Sequence, residues 1–157
     1  MKNPIWKFIF ILTIIFGNIG CDQATKQLAI DNLKDEPQIS YYDDAFILTY
    51  AENRGAFFGT GQDFKEPLKS IFLIVLPISA LLFLLIYTFR AKTIEAIAFS
   101  FIIGGGVSNI FDRIAYGRVV DFMNMGIGDF RTGIFNLADM AILFGMVVLL
   151  FIFLKRN

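Results

Sequence analysis

The sequence has no histidine and only one cysteine, Cys21. Without histidine the chain cannot form a Ser-His-Asp or Cys-His catalytic arrangement, or a zinc site with imidazole ligands. A single cysteine excludes an intramolecular disulfide and any metal site built from several thiolates. Acid–base chemistry therefore has to come from carboxylates, lysine, tyrosine or water, and we expect no metal and no other cofactor.

Charged residues are scarce as well. They make up 18% of the 157 residues, against about 25% in an ordinary globular domain. The 14 basic and 14 acidic residues balance to zero, which gives no reason to expect nucleic acid as a partner. The rest is strongly apolar, with 56% hydrophobic residues and 19 phenylalanines and a mean hydropathy of +0.63. Water cannot cover so much apolar surface, so the chain is predicted to lie in a membrane.

Four apolar stretches are long enough to cross a bilayer, since a helix spanning its ~30 Å core needs about 20 apolar residues. They predict an all-α integral membrane protein with transmembrane helices at about 5–20, 68–89, 94–111 and 134–154. Pro77 is expected to kink the second helix. The third is weaker, because it contains Glu95 and the glycine run 104–106. The length predicts one membrane domain, residues 1–157.

The basic residues predict the orientation of these helices. Three chain positions fall on one side of the membrane, and they carry one acid, Glu95, and six basic residues: Lys2, Lys7, Arg90, Lys92, Lys155 and Arg156. Because basic residues concentrate in cytoplasmic segments, both termini are predicted inside. The loops 21–67 and 112–133 are then outside.

The first outer loop contains two β-branched and aromatic runs, residues 39–42 and 46–50, around the turn-like pair Asp43-Asp44. This pattern predicts a small hairpin on the membrane surface. A different interpretation concerns the start of the chain. Its apolar run before Cys21 weakly resembles a lipoprotein signal peptide. We favour a retained first helix, because Asn18 stands where that signal needs a large aliphatic residue.

Two aspartates are the strongest candidates for chemistry. Asp139 lies six residues into the fourth helix among apolar neighbours, where a charge costs ~2.5–3.5 kcal/mol and usually marks function. Asp121 is flanked by Val120 and Phe122 in the second outer loop, and poor solvation there raises its pKa. The alternatives are structural: Asp139 could reach the headgroups or pair with an arginine of the third helix, and Asp121 could cap a turn.

The topology brings both aspartates to the same side and to similar depth. Two carboxylates in one partly dry site cannot both ionise easily, so one keeps a proton. The ionised group can then take a proton from water while the protonated group polarises a peptide carbonyl. This is the division of labour in aspartic proteases, and it needs neither histidine nor metal.

Other polar residues could support this pair. Asn136 shares a helical face with Asp139, and Asn109 and Arg113 share a face at spacing four. Arg113 could pair with a carboxylate or hold a lipid or backbone carbonyl. A second group lies in the first outer loop: Asp22 and Lys26, which could equally be a simple ion pair just beyond the first helix, and Asn53, which could clamp an extended backbone.

Together these motifs resemble the lipoprotein signal peptidase family, also called signal peptidase II. The resemblance covers nearly the whole chain, and its five segments stand in the family's order: DQATK (22–26), ENRGAF (52–57), GGVSNIFDR (105–113), VVDF (119–122) and FNLAD (135–139). Each segment is weakly specific alone, and the ordered set is strongly specific. A departure is the glycine-rich stretch 126–133, where other members often have tryptophan or proline.

The resemblance implies a complete set of expectations. The catalytic residues would be Asp121 and Asp139, and the supporting residues Asp22, Lys26, Asn53, Gly55, Asn109, Arg113, Asn136 and Ala138. The substrate would be a prolipoprotein carrying diacylglycerol on its lipobox cysteine, cut just before that cysteine. The enzyme would act as a monomer among the lipids of the bacterial inner membrane, with a small extracytoplasmic β-cradle and a mobile outer loop over the site.

Two other functions compete with this hypothesis. A small proton-coupled transporter could use Asp139 as a relay, but it would need polar residues throughout the depth of the bilayer. In this sequence they gather toward one face. A non-catalytic membrane scaffold would tolerate replacement of both aspartates.

Overall fold

The computed structural model describes residues 4–56 and 59–156. Within these residues, four helices are long and apolar enough to cross a membrane: α1 (Pro4–Leu33), α2 (Leu68–Thr88), α3 (Thr93–Tyr116) and α4 (Leu137–Arg156). The strands β1 (Ile39–Tyr41), β2 (Phe46–Asn53), β3 (Val119–Ile127) and β4 (Phe130–Arg131) form a small antiparallel sheet. The expected class, four membrane-spanning helices with a small sheet, is confirmed.

Helix α1 continues well past its predicted end at residue 20. Neither proline nor glycine interrupts residues 21–33, and Ala29 and Leu33 are buried against the apolar face of β3. At 1.5 Å per residue the helix is about 45 Å long, so its last turns leave the ~30 Å hydrocarbon core. The first part of the predicted loop 21–67 is therefore helical, and Asp22 and Lys26 lie within α1 rather than beyond it.

Helix α2 contains a π-helical stretch, Ile71–Val75, immediately before the turn that holds Pro77. Proline has no N–H to donate to the carbonyl four residues earlier, and its ring collides with that carbonyl. A wider turn relieves this collision, and such turns are frequent at functional sites. A kink was expected at Pro77, and the structure shows a π-helical stretch just before it.

Helix α3 is the centre of the bundle, and its glycine run 104–106 is the reason. Consecutive helical residues point about 100° apart, so each glycine faces a different helix. A Cβ on Gly104 would lie 2.8 Å from the Cβ of Asn18 in α1, and one on Gly106 would lie 2.8 Å from the Leu81 side chain in α2. A Cβ on Gly105 would lie 2.3 Å from the carbonyl oxygen of Ala138 in α4. The run lets three helices approach closely.

The sheet caps the end of the bundle where α1 ends and α4 begins. Its strands pair in chain order. The neighbours β2 and β3 are therefore paired although the helices α2 and α3 separate them in the sequence. Asp121 lies opposite Ala51, and a register shift precedes this pair on β2. Backbone hydrogen bonds join Phe135 to Phe122 and Met123. These bonds fix the chain just before α4 against β3.

The opposite end of the bundle carries the turn between α2 and α3 and the basic residues that predict the orientation, among them Lys7 and Arg156. The ammonium of Lys7 donates to the carbonyls of Phe89, at 3.1 Å, and Ala91, at 2.6 Å. Arg156 forms an ion pair with Glu95. Lys2, which contributes to the predicted orientation, lies outside the described residues.

The close contact at Gly105 leads to a stability prediction. In Gly105→Ala the new methyl group meets backbone rather than a flexible side chain, so α4 has to move. We expect the variant to lose about 1–3 kcal/mol of unfolding free energy and to show a lower thermal unfolding midpoint in detergent. The matched control is Gly20→Ala, whose Cβ would meet nothing within 4 Å. Equal midpoints for the two variants would contradict this account of the helix packing.

Candidate active site

Asp121 lies on β3 and is 3% exposed. Its Oδ1 accepts a hydrogen bond from Nδ2 of Asn136 at 2.7 Å, and its Oδ2 accepts one from Nδ2 of Asn53 at 3.1 Å. Asn53 stands on the paired strand two residues beyond the position opposite Asp121, and alternate residues of a strand share a face. The β2–β3 register thus brings this amide to the carboxylate.

Asp139 lies in the first turn of α4 and forms a reciprocal cap with Asn136. The backbone N–H of Asp139 donates to Oδ1 of Asn136 at 2.9 Å, and the backbone N–H of Asn136 donates to Oδ2 of Asp139 at 3.3 Å. Two otherwise unpaired N–H groups at the helix start are satisfied in this way. Nδ2 of Asn109 donates to the other carboxylate oxygen at 2.9 Å. Asp139 is thereby held at the positive end of the helix dipole.

Asn136 connects the two aspartates. Its side chain is fully buried, and it bonds Asp121 through Nδ2 while capping Asp139 through its backbone N–H and Oδ1. The orientation of its amide is fixed, because only an oxygen can accept from the backbone N–H of Asp139. One residue therefore sets the relative position of both carboxyl groups.

The pKa of Asp121 is raised from 3.8 to about 6. Burial is the largest cause, and the nearby charge of Asp139 acts in the same direction. The amides of Asn53 and Asn136 and the charge of Lys26 oppose this shift. Desolvation is the larger effect, because a buried carboxylate loses the water that stabilises its charge. The pKa of Asp121 is therefore closer to neutral pH than that of an ordinary aspartate, a property typical of groups that can exchange protons.

The side chains of Asn53 and Asn109 are oriented by partners outside the aspartate pair. Oδ1 of Asn53 accepts from the backbone N–H of Gly55 at 2.9 Å, so its Nδ2 is left for Asp121. Oδ1 of Asn109 accepts from the ammonium of Lys26 at 2.8 Å, so its Nδ2 is left for Asp139. Because both partners are pure donors, each amide presents its N–H groups to a carboxylate.

A buried ionic cluster supports this arrangement. The Lys26 ammonium lies 2.6 Å from Oδ2 of Asp22 and 2.6 Å from Oδ2 of Asp112, and all three side chains are almost completely buried. The second oxygen of Asp22 accepts from the backbone N–H of Ala138 at 2.8 Å. The cluster therefore joins α1 and α3 and also binds the first turn of α4, next to Asp139.

Sequence reasoning missed the structural importance of three residues in this cluster. Gln23 donates from Nε2 to Ser108 at 2.9 Å and to Asp112 at 2.8 Å. The Ser108 hydroxyl in turn donates to Asp22 at 2.7 Å. Ser108 and Asp112 are one helical turn apart and share a face. That spacing, within an apolar helix, is the signal that could have revealed them.

Arg113 fixes the segment that follows β2. Its Nε and Nη2 donate to the carbonyl oxygen of Gly55 at 3.2 and 2.8 Å, and its Nη1 donates to the carbonyl of Asn109 at 3.3 Å. Gly55 has no room for a Cβ, which would lie 2.5 Å from the backbone of Gly59. Of the roles expected for Arg113, the structure shows the one in which it holds a backbone carbonyl, here of its own chain.

All ten residues singled out in the sequence thus meet in one network around Asp121 and Asp139. Within residues 4–56 and 59–156 no group of three or more carboxylates and cysteines is arranged to hold a metal ion. The ammonium of Lys26 occupies the space between Asp22 and Asp112. The arrangement consists of two carboxyl groups of unequal surroundings, one on the sheet and one at a helix start, and it suits acid–base catalysis.

Comparisons with known proteins identify the family of this chain. The family model described as signal peptidase (SPase) II matches residues 14–155. The lipoprotein signal peptidase of Clostridium tetani is 37% identical over 94% of this chain and 93% of its own length. That of Chlorobium phaeovibrioides is 36% identical over 92% of this chain and 88% of its own.

Two solved structures also match, and both are described as bacterial membrane enzymes determined by the in meso method. One has a TM-score of 0.79 at 25% identity and covers 94% of each chain. The other has a TM-score of 0.78 at 26% identity and covers 93% of this chain and 88% of its own. The chain belongs to the signal peptidase II family and is a peptidase of the membrane.

Proposed function

We propose that this chain is an aspartic endopeptidase that removes signal peptides from prolipoproteins. It cleaves just before the cysteine that carries diacylglycerol. The observation that carries this proposal is the attachment of both Asp121 and Asp139 to Asn136. The names of its relatives support the substrate class.

The proposed reaction uses the two carboxyl groups in turn. The ionised aspartate takes a proton from a water molecule, and the water oxygen attacks the peptide carbonyl carbon. The protonated aspartate gives its proton to the carbonyl oxygen, so the intermediate is an uncharged diol. When the C–N bond breaks, the leaving nitrogen receives a proton from the pair, and the new carboxyl group leaves with the signal peptide.

We assign the base role to Asp139 and the acid role to Asp121. Asp139 lies at a helix N-terminus, where negative charge is favoured, and it accepts N–H groups from Asn136 and Asn109. Asp121 is outside the helices and its pKa is raised to about 6 by burial, so it is the better holder of the shared proton. The pair titrates as a unit, and each role belongs to a protonation state of that unit.

The proposed site lies near the outer face of the bacterial inner membrane. The end of the bundle opposite the sheet carries Lys7, Arg90, Lys92, Lys155 and Arg156, and basic segments stay in the cytoplasm. The aspartates are at the other end, where α4 meets the sheet. A lipid-bearing precursor would reach this depth from within the membrane.

The polar residues of α3 support a transporter less well than they support a peptidase. Between Glu95 at one end and Ser108 at the other, Ser100 is its one buried polar side chain. That hydroxyl donates to the carbonyl of Ala96 in the same helix. A proton relay through the bundle needs a chain of such groups, and this helix has none between those depths.

The first prediction concerns the two aspartates. Asp121→Asn and Asp139→Asn should each lower cleavage of a lipidated precursor by more than about a thousandfold, because each removes one of the two proton-transferring groups. The assay is a mobility shift of purified precursor in detergent micelles. Asp129→Asn, at the exposed turn between β3 and β4, is the matched control and should cleave normally. Cleavage at the normal rate by either site variant, shown to be folded, would exclude the proposed mechanism.

The second prediction concerns pH. The active pair carries one proton, and this proton is lost as the pH rises through the raised pKa of Asp121. In a profile from about pH 5 to about pH 9, kcat/KM should therefore fall on the alkaline side with an apparent pKa of about 6. Asn53→Ala should move this limb to higher pH, because the lost N–H donor stabilises the ionised form of Asp121. A shift to lower pH, or a flat profile, would contradict the assignment.

The third prediction concerns the lipid on the substrate. A precursor carrying diacylglycerol on its cysteine should be cut at least about tenfold faster than the same unlipidated precursor, because lipid binding energy positions the peptide. Both forms are tested side by side with the same enzyme preparation. Equal rates would leave the peptidase activity in place and would refute the lipid requirement.

A further inference from the structure

The seam between α2 and α3 contains two cavities, and of the ten site residues only Arg113 lines either of them. The upper cavity has a volume of about 310 Å³ and lies between Arg54, the first turns of α2 and the end of α3. The lower cavity has a volume of about 290 Å³ and is lined entirely by apolar side chains of the two helices. We refer to the two cavities together as the passage, whose upper part is lined by charged residues and whose lower part is apolar.

The two cavities follow the same face of α2. The upper one is lined by Leu73 and Ile74, and the lower one continues through Ile78 to Leu85, at the spacing of three and four residues that marks one helical face. Leu73 and Leu85 are about 18 Å apart along the axis at 1.5 Å per residue. One leaflet of a bilayer is about half of its ~30 Å core. The passage thus has about the depth of one leaflet.

The charges of the upper cavity favour an anion. Arg54, Lys69 and Arg113 line it, against a single acid, Glu66. Glu66 is already engaged, since its Oε2 accepts from the backbone N–H and the hydroxyl of Ser70. Within the described residues the Lys69 ammonium donates to the carbonyl of Gln62, and an ammonium has two further donors. The nearest oxygen of Glu52 is 3.8 Å from Nη2 of Arg54, which is beyond hydrogen-bond distance.

We propose that this passage is a binding site for an anionic phospholipid, with its phosphate between Arg54 and Lys69 and one acyl chain along the apolar groove between α2 and α3. Cationic side chains at the membrane surface attract anionic headgroups, and a methylene chain fits a groove without polar groups. The cavity begins at the first turn of α2, where the membrane span starts. Phosphate and acyl chain would therefore both lie at the depths that they have in a bilayer.

The π-helical stretch of α2 lies in this region. Leu73 and Ile74 belong to the segment Ile71–Val75, and both line the upper cavity. Wide helical turns of this kind frequently occur at binding sites. The bound phosphate would connect the segment after β2, through Arg54, to the start of α2. It would thus stabilise the chain around Gly55, whose carbonyl oxygen also accepts hydrogen bonds from Arg113.

The test measures lipid binding and does not depend on cleavage. The purified full-length chain in neutral detergent is titrated with dioleoyl phosphatidylglycerol or with dioleoylglycerol, and bound lipid is counted by native mass spectrometry. Wild-type protein should bind the phosphatidylglycerol more tightly. The double variant Arg54→Gln/Lys69→Gln should lose roughly 30-fold in that affinity, at about 5-fold per cation, with its affinity for dioleoylglycerol unchanged.

Two matched controls separate specific binding from the lipid that surrounds any membrane protein. Arg90→Gln/Lys155→Gln removes the same charge at the opposite end of the bundle, away from the cavity, and should bind as wild type does. Val107→Phe fills the lower groove and should weaken both lipids, whereas Val147→Phe on the lipid face of α4 should weaken neither. Equal wild-type affinity for the two lipids would show a site for neutral glycerolipid and overturn the proposal. Full phosphatidylglycerol binding by the Arg54→Gln/Lys69→Gln variant would overturn it as well.

Discussion

The buried ammonium of Lys26 is the constraint on which the arrangement of the helices depends. A charge removed from water must be compensated inside the protein, and inside a membrane nothing else can do so. Lys26 meets Asp22 on its own helix and Asp112 on α3. Asp22 in turn binds the backbone of Ala138 at the start of α4. Any relative shift of these three helices would leave a buried charge without its partner, so the cluster allows one arrangement.

This cluster selects one arrangement of the helices more than it adds to the net stability of the fold. A buried ion pair gains little over well-packed apolar residues, but breaking one costs several kcal/mol. The close packing at Gly105 works in the same direction, because α3 and the first turn of α4 touch at backbone distance. Ionic contacts and glycine packing together determine where Asn109 and Asn136 stand. These two amides then orient the carboxyl groups, so the geometry of the site follows from the packing of the bundle.

Much of this could be predicted from the sequence, because hydropathy is a local property. The four spans and the hairpin of residues 39–50 follow from runs of adjacent residues. The pairing of β2 with β3 could not be predicted, since it joins segments separated by two membrane helices. The extension of α1 was missed for a related reason. Residues 22–33 are too polar to count as a membrane span, and they are helical because Ala29 and Leu33 pack on β3.

Only part of the candidate site could be predicted from the sequence. The individual aspartates were found because a carboxylate among apolar residues is conspicuous, whereas Gln23 and Ser108 are ordinary polar residues whose role appears only in three dimensions. The reciprocal cap of Asn136 and Asp139 lies between these cases. Its spacing of three residues is visible in the sequence, but only the helix start at Leu137 makes it a cap.

The two aspartates come from different parts of the fold, and this division suits the proposed reaction. Asp121 belongs to the sheet, which stands at the end of the bundle, and Asp139 belongs to a helix that enters the membrane. In the proposed reaction, water would enter from the side of the sheet and a lipid-bearing peptide from the side of the helices. Asn136, which is fully buried between them, keeps the two carboxyl groups together at this boundary.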